Sequence, residues 1–189
     1  MALTNDESIA KTISLLRSHG ITRDASDMTK EADGPWYYQQ IALGFNYRMT
    51  ELQAALGLSQ LSRLDSFISR RHALAKRYDE LLAGLPLATP WQHTDGYSGL
   101  HLYVIRLNLD KIKRSHREVF EELREKGIGV NLHYIPVHLQ PYYERMGFRA
   151  GDFPEAEDYY REAISIPMYH ALTFEAQNTV VDAIREALA

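Results

Sequence analysis

The sequence predicts an α+β chain in two parts: a mainly helical segment over residues 1–84, then a mixed segment of helices and short strands over residues 85–189. Three observations predict it. Leu52, Ala55, Leu58, Leu61, Leu64, Ile68, Ala75, Tyr78 and Leu82 recur at spacings of three, four or seven, the signature of long helix with one apolar side. His101–Leu107 and residues 128–134 read instead as strands, the first by its β-branched and aromatic content, the second by alternation. Thr173 then opens a last amphipathic helix carrying Val180, Val181, Ile184 and Leu188.

Each element has a local reason. Thr4 and Glu7 match a capping box, Ile9, Ile13 and Leu16 follow at helical spacing, and Gly20 is a stop. Residues 21–43 are polar, contain Gly34-Pro35 and the cluster Trp36-Tyr37-Tyr38, and read as a long loop, with the aromatic cluster either a substrate lid or a subunit contact. The long periodic stretch from Thr50 to Leu82 is either one bent rod or two helices meeting near Ser62–Ser66, and Gly84-Leu85-Pro86 ends it. Ser115 with Glu118 opens a further helix, with Val119, Phe120 and Leu123 inward and Gly127 at its end. Ile128, Val130, Leu132 and Tyr134 alternate with Gly129, Asn131 and His133, which places Asn131 and His133 on one strand face. Pro141 opens a short helix to Met146. Asp152–Glu155 starts another to about Glu162, and Ile164–Ile166 is a short strand ended by Pro167.

Composition excludes several classes. The 189 residues carry a net charge of −4, so there is no basic footprint for sequence-independent nucleic-acid binding. With no cysteine, disulfides and thiolate metal sites are excluded. No apolar run approaches the roughly 20 residues of a membrane span, and the expected location is cytoplasmic. His133 and His138 have no carboxylate cluster beside them, so metal binding is not expected.

The run Gly44-Phe-Asn-Tyr-Arg-Met-Thr-Glu-Leu-Gln-Ala-Ala-Leu-Gly-Leu-Ser-Gln-Leu61 carries the strongest functional signal. A turn bearing Asn46 and Arg48 precedes a helix start, and such a turn offers an amide and a guanidinium to an anion. Taken alone, Asn46 reads rather as a helix-capping turn residue, and Arg48 equally as a partner of Glu51. The run resembles the Gly-Phe/Tyr-Asn-x-Arg segment of the DegT/DnrJ/EryC1/StrS family of nucleotide-sugar aminotransferases, which use pyridoxal 5'-phosphate (PLP). Gly129-Val-Asn-Leu-His-Tyr-Ile-Pro-Val-His138 is similar to that family's sugar-side segment, His101-Leu-Tyr103 to another of its elements, and Arg17-Ser-His19-Gly20 to a third.

The resemblance implies fold type I of the PLP enzymes. Residues 1–84 would be the end of the large cofactor domain and a long interdomain helix, and residues 85–189 the small C-terminal domain. It implies that Asn46, assisted by Arg48, binds the cofactor phosphate in the neighbouring subunit of a homodimer. It implies that Asn131, Leu132, His133, Tyr134 and His138 line a nucleotide-sugar pocket. The activity implied is transfer of an amino group, with glutamate the expected donor, to a keto nucleotide sugar. A UDP-linked 4-keto hexose for surface polysaccharide or glycan is the nearest match. The family's PLP-binding lysine lies in a Ser-x-His/Asn-x-x-Lys segment before a Gly-Gly strand. Met1–Glu7 is similar to the stretch just after that Gly-Gly, so the lysine is expected upstream of Met1 and the chain alone is expected to be inactive. Lys11, Lys30, Lys76, Lys111, Lys113 and Lys126 match no such segment and read as surface lysines. From the residues themselves, a polar edge-strand face with Tyr134 in the core remains open for the second segment, and packing for His101 and Tyr103. Two other classes also remain: a non-catalytic nucleotide-sugar-binding module, and a dimerisation element built on the Leu52–Leu82 stripe.

Overall fold

A computed structural model describes residues 2–189, in two compact units, one ending at Ser62 and the other spanning Arg63–Ala189. Met1 lies outside the described residues.

The first unit holds helix α1 (Glu7–Leu16), strands β1 (Ile21–Thr22) and β2 (Gln39–Gln40), and helix α2 (Glu51–Leu61). The cap of α1 is Asp6 rather than Thr4: its carboxylate accepts from the amides of Ser8 and Ile9, while Thr4 Oγ1 accepts from Asp6 N. A carboxylate at the positive end of the helix answers two orphan donors at once. The segment expected to be wholly loop contains one antiparallel ladder, Ile21 opposite Gln40 and Thr22 opposite Gln39. Gln39 then ties the loop together, accepting from Thr29 N and donating to Lys30 O. Helix α2 opens with a capping box between Thr50 and Gln53. None of its residues is buried: Leu52, Leu56, Leu58 and Leu61 all face outward.

The periodic stretch from Thr50 to Leu82 resolves into two helices, α2 and α3 (Leu64–Leu81). Ser62 and Ser66 hydroxyls bond to the carbonyls of Ser59 and Arg63, taking up acceptors that a continuous helix would use internally. The compact units therefore divide at residues 62/63 rather than at 84, because α3 packs with the second unit.

That second unit is built on a three-stranded antiparallel sheet, β3 (Leu87–Ala88), β4 (Tyr103–Leu107) and β5 (Ala163–Ile166), in that order, with Ile105 opposite Ile164. Helices α3, α4 (His116–Glu125) and α7 (Phe174–Leu188) supply Leu74, Tyr78, Val119, Leu123, Val181 and Ile184 to one core. The alternation in β4 sends Tyr103, Ile105 and Leu107 inward, as period-two patterning requires. His101 lies outside β4 and is exposed, so the strand expected from His101 begins at Tyr103. Two helices start as the sequence predicts, α4 with a Ser115–Glu118 capping box and α7 with Thr173 accepting from Ala176 N. Short helices α5 (Pro141–Glu144) and α6 (Pro154–Glu162) lead into β5. Gln177, fully buried on α7, is satisfied by donating to Leu74 O and accepting from Arg77.

Residues 128–134 do not form the expected strand. Only Asn131 bridges β5, at Ser165. Ile128 and Val130 are buried as the alternation predicts, but Tyr134 is 71% exposed rather than inward. The neighbour sets this limit: β5 is four residues long and ends at Pro167, which has no amide proton to extend a ladder.

Candidate functional site

In the first unit, the turn carrying Asn46 and Arg48 is laced to the end of α1 by main-chain bonds. Phe45 N donates to Leu16 O, His19 N to Phe45 O and Tyr47 N to Arg17 O, at 2.7, 2.8 and 3.0 Å. This lacing needs two glycines. Gly20 sits at φ +69°, and a Cβ there would meet Ala42 O at 1.8 Å. At Gly44 a Cβ would fall 2.2 Å from Gly20 N. His19, at φ 63°, continues the same left-handed bend.

The alternatives left open for Asn46 and Arg48 narrow here. Thr50, not Asn46, caps α2. Among the described residues no carboxylate pairs with Arg48. Asn46 bridges Ser18 through its main chain and its side chain is exposed. Beside it, Ser18, His19, Ile21, Arg23, Tyr38 and Arg48 line a cavity of about 530 Å³. Two guanidiniums, an imidazole and a phenol around one hollow form a donor set that suits a phosphate or a carboxylate. An anionic cofactor arm thus fits the residues present on this turn.

In the second unit, Ser165 organises the other segment. Its amide and carbonyl bond to Asn131 at 2.8 and 3.1 Å. Its hydroxyl lies 2.6 Å from His133 Nδ1. Asn131 Oδ1 accepts from Leu132 N, which leaves the Asn131 amide NH₂ outward. Leu132 and His133 are half-buried, and Tyr134 projects with its ring edge-on to His133, centroids 4.6 Å apart. So Asn131 and His133 do lie together, but through one bridge and one side-chain bond rather than through a strand face.

His138 stands apart from this group. It is buried, its Nε2 lies 2.9 Å from Glu157 Oε1, and its ring packs on Phe153. The imidazole and then the Gly151 amide hold the Glu157 carboxyl below the usual carboxylate range. Such a histidine fixes the loop over residues 135–153 rather than offering a nitrogen to a ligand. Since His133 and His138 bond to different partners, they do not converge on one ion. Among the described residues no group of three metal-ligating side chains occurs, and no helix is long and apolar enough to cross a membrane.

Sequence reasoning missed Ser165 and Glu157. The first had a signal: one hydroxyl inside the apolar run Ala-Ile-Ser-Ile must find a partner when buried. The second had none, since Glu157 is one of several acidic residues on α6.

Comparison with known proteins agrees with this architecture. The model of the DegT/DnrJ/EryC1/StrS aminotransferase family matches residues 1–185. The chain is 38% identical over 191 residues to the uncharacterized protein MJ1066 of Methanocaldococcus jannaschii, covering 100% of this chain and 49% of that protein. It is 37% identical over 189 residues to the spore coat polysaccharide biosynthesis protein SpsC of Bacillus subtilis, covering 98% of this chain and 48% of SpsC. Among solved structures, Helicobacter pylori PseC, an aminotransferase involved in the biosynthesis of pseudoaminic acid, superposes with a TM-score of 0.85. That match is 26% identical and covers 98% of this chain and 47% of PseC. The chain spans about half the length of the curated relatives it matches. It belongs to the DegT/DnrJ/EryC1/StrS aminotransferase family, whose members depend on PLP.

Proposed function

We propose that this chain forms the phosphate-facing turn and the sugar-facing segment of a PLP-dependent aminotransferase acting on a keto nucleotide sugar. The family match carries the reaction class. The Asn46 turn carries the cofactor reading: an exposed amide and an arginine with no carboxylate partner among the described residues, braced by Gly20 and Gly44 beside a cationic cavity. A UDP-linked 4-keto hexose is the substrate we assign, with glutamate as amino donor. SpsC, a relative named for spore coat polysaccharide biosynthesis, is in keeping with a product destined for a surface glycan.

When bound, PLP withdraws electrons from the carbon that exchanges its amino group. The roles of this chain are to bind and orient. Asn46 donates its amide NH₂ to a phosphate oxygen without adding charge, and Arg48 adds a bidentate cation. In a homodimer this turn serves the neighbouring subunit's cofactor. Asn131 and His133 hydrogen-bond to the sugar nucleotide, and Tyr134 offers a ring face to its apolar side. Leu132 sets the spacing between the two polar groups, and His138 holds the loop that follows. The lysine that would hold PLP and move the proton is assigned to a part of the enzyme other than this chain.

Titrating the chain with UDP-glucose while following its amide resonances tests the substrate reading. The expected outcome is perturbation centred on Asn131–Tyr134, weakened in Asn131→Ala. Unchanged resonances throughout that segment at millimolar ligand would contradict it.

A further inference from the structure

We propose that Ser165 is a positioning residue for His133. Its hydroxyl donates to Nδ1, fixes the neutral imidazole with its proton on Nε2, and turns His133 into a hydrogen-bond donor for an oxygen acceptor on the ligand. The part concerning the ligand rests on the sugar-nucleotide reading above. The part concerning the proton stands on the geometry of this chain.

Ser165 lies in the middle of β5 and is 5% exposed. Its two main-chain groups are both taken by Asn131, so its position is fixed against the same segment that bears His133. The hydroxyl lies 2.6 Å from His133 Nδ1 and has no other hydrogen-bond partner among the described residues. A hydroxyl carries one proton and must place it. If Nδ1 also carried a proton, two hydrogens would face each other across that distance, or the serine proton would turn into a buried space with no acceptor. Donation from Ser165 to a bare Nδ1 is the arrangement that satisfies both groups. The histidine proton then resides on Nε2.

The far side of the ring supports a ligand role. His133 Nε2 has no partner among the described residues, and it is absent from the buried side-chain atoms that lack one. It therefore reaches solvent. Asn131 shows the same polarity, because its Oδ1 is occupied by Leu132 N and its NH₂ is left outward. Two donors presented side by side select a ligand rich in oxygen acceptors, such as phosphate, hydroxyl or keto oxygens. A neutral imidazole protonated at Nε2 reads such an oxygen and does not remove a proton from it.

The test is a two-bond proton–nitrogen correlation of the histidine rings in the ¹⁵N-labelled chain, with His133 assigned by its loss in His133→Gln. The expected pattern for neutral His133 is a proton on Nε2 and a hydrogen-bonded, bare Nδ1. In Ser165→Ala the Nδ1 resonance should move toward that of an unbonded nitrogen, with the other tautomer mixing in, and Ser165→Thr should restore the original pattern. A neutral His133 with its proton on Nδ1 overturns the proposal, and that reading does not depend on Ser165→Ala folding. So does a Ser165→Ala spectrum indistinguishable from the starting protein. Titration with UDP-glucose separates the ligand part. Ser165→Ala should weaken binding by roughly threefold to tenfold, the value of one hydrogen bond, with Ser165→Thr close to the starting affinity. The expected tautomer with His133 undisturbed by UDP-glucose would leave the positioning role in place and overturn the sugar assignment.

Discussion

His138 and Glu157 form a closed pair in which His138 Nε2 lies 2.9 Å from Glu157 Oε1, and that same oxygen accepts the Gly151 amide at 2.7 Å. The pair clamps the loop after Pro136 to the segment entering α6, and its charge state links the stability of that loop to pH.

The Glu157 carboxyl is held below its ordinary value of 4.5, first by the His138 hydrogen bond and then by the Gly151 amide. A lowered folded-state value means that the contribution is fully present above about pH 4.5 and is lost as pH falls through the folded-state value. Urea-unfolding midpoints measured downward from pH 6 should fall more steeply for the native chain than for Glu157→Gln. Parallel curves would show that the carboxylate contributes nothing.

Gly44→Ala should disrupt the Asn46 turn, since the added methyl would sit 2.2 Å from Gly20 N, where main chain leaves no room. Amide resonances of residues 16–22 and 41–48 should shift, while those of the sheet β3–β4–β5 stay in place. A spectrum unchanged around Asn46 would show that the close approach to Gly20 is not needed.

Thr50→Ala removes the cap of α2 and should cost about 0.5–2 kcal/mol in the stability of that helix. Amide exchange of Gln53 and the first turn should quicken, with little change in α3. Protection left as it was would remove Thr50 from the capping role.

Leu123→Ala, at a fully buried position on α4, should destabilise the second unit by about 2–5 kcal/mol. Tyr103→Phe tests a different term. Burial, followed by the hydrogen bond to Asp79, pushes the Tyr103 hydroxyl well above its ordinary pKa. Alkaline difference spectroscopy should therefore show two tyrosines, Tyr103 and the likewise buried Tyr78, that resist ionisation until the fold is lost, and only one of them should remain in Tyr103→Phe.

The sequence was most legible where short-range chemistry decides the structure. Ser115 with Glu118, Thr173, and the alternation from Tyr103 to Leu107 appear in the fold as periodicity and capping rules require. It was least legible where a distant partner decides. Residues 128–134 alternate like a strand, yet the length of β5, some thirty residues away, leaves one bridge and puts Tyr134 in solvent. The apolar side of α2 has helical spacing but no covering surface among the residues of its own unit. The division at Ser62–Arg63 likewise depends on which core takes up Leu74 and Tyr78. At the candidate site, Asn131 and His133 were legible as neighbours, whereas the residue joining them, Ser165, belongs to another element.

On the proposed reading, this chain supplies binding surfaces for a PLP-dependent sugar aminotransferase but not the lysine that carries PLP. Incubating the chain with PLP, reducing with borohydride and mapping the product by mass spectrometry tests it directly. The account predicts weak labelling scattered over Lys11, Lys30, Lys76, Lys111, Lys113 and Lys126, unaffected by Asn46→Ala. One lysine carrying a stoichiometric pyridoxyl group would contradict it.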